Sequence, residues 1–69
     1  MNDLDLRALV LEELAFKPDI NAASIRVTVN GSVVKLEGKV HLLREREVVE
    51  RAAWSVPDVS KVEDYLLIA

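Results

Sequence analysis

The chain has 69 residues, nine Lys or Arg against twelve Asp or Glu for a net charge of −3, no cysteine, and Phe16, Trp54 and Tyr65 as its aromatics. A chain this short buries only about 60% of its unfolded surface, so it supports one core, and at 51% hydrophobic content that core is aliphatic. Absent cysteine excludes disulfides and thiolate metal sites, and the acidic balance repels nucleic acid and anionic lipid except at a local patch.

From Asp3 to Lys17 strong helix formers dominate, with Asn2 or Asp3 as N-cap and Pro18 as the stop. Leu6, Val10 and Leu14, with Leu11 beside them, form a stripe that faces a sheet. Leu9 and Phe16 fall about 100° or more from the middle of that stripe, among Asp5, Glu12 and Glu13.

After Ser24 the period changes to two. Ile25, Val27 and Val29 alternate with Arg26 and Thr28, and Val34, Leu36 and Val40 with Lys35, Glu37 and Lys39. Asn30-Gly31 between them suits the centre of a two-residue type I′ turn, where both positions need positive φ. That turn pairs Val27 with Val34 and Ile25 with Leu36, and sets Arg26 opposite Lys35 on the solvent face.

Leu43 to Val56 reads as a second helix, with Val49, Ala52, Ala53 and Val56 inward. Pro57-Asp58 ends it, and Val62 to Ile68 supplies a third strand whose Val62, Leu66 and Ile68 share a face. The expectation is one domain over residues 1–69, an α+β two-layer αββαβ fold with two helices on one face of a three-stranded mixed sheet. A right-handed crossover through the second helix lays the third strand parallel to the second. Its place, beside the second strand or across the first, stays open.

The run Ile25-Arg26-Val27-Thr28-Val29-Asn30-Gly31-Ser32-Val33-Val34-Lys35-Leu36-Glu37-Gly38-Lys39-Val40 resembles the "I-x-V-x-V-x-x-G-x-V-x-L-x-G-x-V" signature of the bacterial BON domain family. Leu6, Val10 and Leu14 before it, and Ala52-Ala53, Val56-Pro57-Asp58-Val59, Val62 and Leu66-Leu67-Ile68 after it, extend the likeness over nearly the whole chain. Asp58 stands where the family usually has glycine, and aspartate tolerates the left-handed backbone that such a turn uses. The resemblance implies a binding module that contacts phospholipid, or attaches proteins to membranes and envelope structures, in settings that include osmotic stress. It carries no catalytic residue, cofactor or metal. The alternative is a purely protein-binding or homo-oligomerising regulatory domain.

The residues themselves agree with a non-enzyme. His41 is the one histidine, and Gly31 and Gly38 read as turn and close-approach positions, with Asn30 and Asp58 as the other turn residues. Trp54 falls on the polar side of the second helix with Glu47, Glu50 and Arg51. There it either anchors a lipid or protein partner or lies over neighbouring stems. Leu9 and Phe16 pose the same choice between a partner contact and wedging against the Ile20 loop. Arg26, Lys35 and Lys39 form a basic patch on the sheet that receives lipid head groups or an acidic segment, or is simply solvated. The acidic opening Met1-Asn2-Asp3 is unlike a signal peptide, and no apolar run spans a bilayer. The expected compartment is cytoplasmic, or periplasmic if the domain is excised from a longer exported protein. No nucleic acid is expected as partner, and weak homo-oligomerisation is left open.

Overall fold

The computed structural model describes residues 2–69 as helix α1 (Asp3–Ala15), strands β1 (Ile25–Asn30) and β2 (Val33–Val40), helix α2 (Leu43–Trp54) and strand β3 (Lys61–Ile68). α1 starts where the Asn2 side-chain oxygen accepts from the Asp5 amide at 2.9 Å, with Asp3 and Asp5 complementing the positive end of the helix. It ends two residues short of the expected Lys17, because Phe16 and Lys17 already turn toward Pro18. α2 starts without a side-chain cap at Leu42; the Glu45 carboxylate instead accepts from the His41 and Leu42 amides, at 2.8 Å each. It stops at Trp54 rather than Val56.

The sheet order is β1-β2-β3, with β1 antiparallel and β3 parallel to β2, so the third strand lies beside the second. Both helices cover one face. Leu6, Val10 and Leu14 of α1 and Val49, Ala52 and Ala53 of α2 close on Val27, Val34, Leu36 and Leu66 to form an α+β core. Ile68 shares the inward side with Val62 and Leu66 but stands exposed where the strand reaches the end of the sandwich.

The hairpin turn sits one residue later than its sequence predicts. Gly31 and Ser32, at φ 57° and 71°, occupy the central positions, and Asn30 pairs with Val33 as the last residue of β1. The register therefore sets Val27 opposite Leu36 and Ile25 opposite Gly38, instead of Val34 and Leu36. A slip of two residues keeps every side chain on its expected face, which is why the core composition is unchanged. What it gains is Val29 opposite Val34, and Gly38 where a Cβ would collide with the Ser24 carbonyl oxygen. The slip also removes the expected Arg26–Lys35 opposition: Arg26 lies opposite Glu37, and Lys35 opposite Thr28.

Both free edges of the sheet are occupied by side chains. On β1, Arg7 donates from Nε to the Val27 carbonyl at 2.9 Å, and Asp3 accepts from the Gly31 amide at 3.2 Å. On β3, Asp64 points inward and accepts from the Leu66 amide at 3.0 Å. Such inward charges and edge covers deter strand addition. Between α2 and β3, Asp58 holds φ 76° and the Ser60 amide donates to the Ser32 carbonyl at 2.9 Å. The start of β3 is thereby tied to the hairpin turn.

Candidate functional site

Strand alternation leaves one face of the sheet without helices. It presents Arg26 and Thr28 from β1, Val33, Lys35, Glu37 and Lys39 from β2, and Lys61, Glu63, Tyr65 and Leu67 from β3. Four cations against two carboxylates make this face +2 in a chain of −3, so the remainder carries −5. The charges are partly engaged. Lys35 lies 3.9 Å from Glu37 and 5.5 Å from the centre of the Tyr65 ring, and Lys61 lies 3.8 Å from Glu63.

The two parallel strands finish together, with Ile68 paired to Val40 and the Ala69 amide donating to the Val40 carbonyl at 2.8 Å. α2 begins two residues after β2, so Leu42 and Leu43 arrive at the same end as Leu67 and Ile68. All four are exposed, between 48% and 62%. Lys39, His41 and Arg44 are exposed at this end too, and Lys39 and Arg44 make no ion pair among the described residues. Glu45, the nearest acid in sequence, spends its carboxylate on the start of α2. The result is an apolar tip with a basic collar.

Trp54 is 48% exposed beside a shallow depression shared with Glu47, Glu50 and Arg51, a different surface from the basic sheet face. Leu9 and Phe16 part company: Leu9 packs against the edge of the core, while Phe16, at the end of α1, is exposed. An open groove of about 540 Å³ between the end of α1 and α2 is lined by Ile20, Val48 and Ala52, with Lys17, Arg44 and Arg51 balanced by Glu13, Asp19 and Glu45 around them.

The Glu50 carboxyl is raised from 4.5 by hydrogen bonding to Asp64, then by burial and by the Asp64 charge, with Arg46 opposing. Asp64 is held by Arg46, Nε to Oδ2 at 2.9 Å, and this ion pair braces α2 against β3. His41 is exposed, and no cluster of metal-ligating side chains occurs among the described residues. No helix is long and apolar enough to cross a membrane among these residues.

Sequence reasoning missed the tip. Its signal was present in Leu42-Leu43, two leucines ahead of the inward face of α2, but only the parallel β2–β3 pairing brings Leu67 and Ile68 to them. No curated protein matches the chain. The family model for the BON domain matches residues 2–69. The chain belongs to the BON domain family, a family of binding modules.

Proposed function

We propose that this domain is a non-enzymatic module that docks on an anionic phospholipid surface, tip first, with Leu42, Leu43, Leu67 and Ile68 entering the interface and Lys39 and Arg44 meeting head groups. The observation that supports this is the coincidence of four exposed aliphatic side chains and unpaired cations at one end of an otherwise acidic molecule. Fully burying one leucine is favourable by about 1.5–3 kcal/mol, and each cation near an anionic membrane adds about 1 kcal/mol. Apolar insertion therefore supplies most of the affinity and the collar sets the orientation.

A second reading rests on Trp54, whose exposed indole among Glu47 and Glu50 suits a basic protein segment better than an anionic membrane. Vesicle co-sedimentation separates the two. Phosphatidylglycerol-containing vesicles should bind the wild type, and Leu42→Gln with Leu43→Gln should weaken binding at least tenfold while Trp54→Ala leaves it nearly unchanged. Binding lost in Trp54→Ala but kept in the double leucine variant would reverse the assignment.

A further inference from the structure

α1 carries a second apolar strip that the fold leaves open. Leu4, Ala8, Leu11 and Ala15 recur at spacings of four, three and four, centred about 130° around the helix from the Leu6–Val10–Leu14 stripe. Leu4 is 77% exposed, Ala8 and Ala15 are exposed, and Leu11 is half-buried, packed on one side against the core and open on the other. In heptad terms the two leucines take d positions and the two alanines a positions, which puts Asp5 and Glu12 at e and Arg7 at g, the other g residue, Leu14, being buried in the domain's own core.

These flanks choose a partner and a direction. In a parallel pair of identical helices a g residue meets the e residue five positions on in the other copy, so Arg7 meets Glu12 of the second copy, twice over by symmetry. In an antiparallel pair like flanks face each other, which would press Asp5 and Glu12 against the same acids of the second copy. Arg7 is already oriented, since its Nε donates to the Val27 carbonyl and its remaining N–H groups stay available. We infer that two copies of this chain associate side by side through α1, in parallel, with the Leu4–Ala8–Leu11–Ala15 strips in contact and Arg7 of each paired to Glu12 of the other.

α1 spans 13 residues, about 20 Å, and its alanines bury little, so the pairing is weak and suits the roughly millimolar local concentrations of tethered or surface-bound copies. Its direction has a consequence for the docking proposed above, on which this step rests. Asp3, at the start of α1, bonds to Gly31 in the hairpin turn, whereas the loop after α1 bonds through Ser24 Oγ to the Lys39 carbonyl at 3.1 Å, at the tip end. A two-fold axis along α1 therefore points both tips the same way, and one flat surface engages two.

The absence of cysteine makes the test direct. Ala8→Cys and Ala15→Cys, each alone, should form intermolecular disulfides under mild oxidation at least tenfold faster than Asp19→Cys in an exposed loop. In a parallel pair each position meets itself, whereas an antiparallel pair separates Ala15 from its copy. Adding Leu4→Glu, at a side chain too exposed to matter for folding, should abolish the acceleration, and Glu12→Arg should reduce it. Rates equal to that of Asp19→Cys would overturn the pairing, and fast crosslinking at Ala8 but not Ala15 would overturn its direction. The disulfide-linked Ala15→Cys dimer should then bind anionic vesicles at least about a hundredfold more tightly than its reduced form. Efficient crosslinking of a dimer that ignores vesicles would sustain the pairing and refute the lipid docking.

Discussion

Arg46 of α2 reaches Asp64 of β3 with Nε and Oδ2 2.9 Å apart, and the Asp64 side chain is only 8% exposed. An inward carboxylate on an edge strand is costly unless paired, and here each oxygen has a partner, Arg46 on one and the Leu66 amide on the other. The pair thus does two things: it fixes the height of α2 on the sheet, and it keeps a charge on the edge where another strand would add.

Removing one partner should separate those effects. Arg46→Met leaves Asp64 buried and unpaired, and is expected to lower unfolding free energy by about 1–2 kcal/mol, moderated because the arginine is partly exposed. Asp64→Val also removes the charge from the edge, and should show concentration-dependent self-association instead. Urea melts and light scattering distinguish the two.

Glu50 gives a pH dependence with a defined sign. Its carboxyl is raised above 4.5 in the folded state, mainly by hydrogen bonding to Asp64, so the folded protein takes up its proton more readily than the unfolded chain. The associated stability is fully present below pH 4.5 and is lost as pH rises through the raised value. Glu50→Gln, fixed in the neutral form, should therefore melt higher than wild type at pH 7, with the difference shrinking toward pH 4.5. Parallel melting curves across that range check it, and a constant offset would refute the coupling to Asp64.

Gly38 and Gly31 should respond differently. Gly38→Ala drives a Cβ into the Ser24 carbonyl at φ 125° and is expected to cost about 3 kcal/mol or more, read from the urea midpoint. Gly31 has open space around it, so Gly31→Ala pays only for its positive φ, about 1 kcal/mol, and Gly31→Val about 1–3 kcal/mol.

Ser32 holds φ 71° without being glycine, and Ser32→Gly should raise stability by about 0.5–1 kcal/mol in a thermal melt. Under an Asn30-Gly31 turn the same change would fall in the strand and lower it.

The elements and the core faces were legible because burial has a period, and a slip of two residues leaves that period intact. The slip itself was not legible, since Asn30-Gly31 and Gly31-Ser32 both satisfy a type I′ turn locally. What selects the second is contact between distant residues, the Ser24–Ile25 backbone against Gly38 and Val29 against Val34. Leu9 and Phe16 looked alike on a helical wheel and separated because the helix ends between Phe16 and Pro18. The tip was hidden for a related reason: a wheel ranks residues by direction and says nothing of which ones run past the last covered turn.

The strand order also constrains the route by which the fold is reached. β1 and β2 close across two residues, a local event on the microsecond scale, whereas β3 joins β2 only after α2 has swung across the sheet. Until then β2 shows a bare second edge carrying Val34, Leu36 and Val40, with β3 not yet in place to cover it. The rate of that late docking, more than the final stability, sets how long a newly made copy stays open to capture by its neighbours.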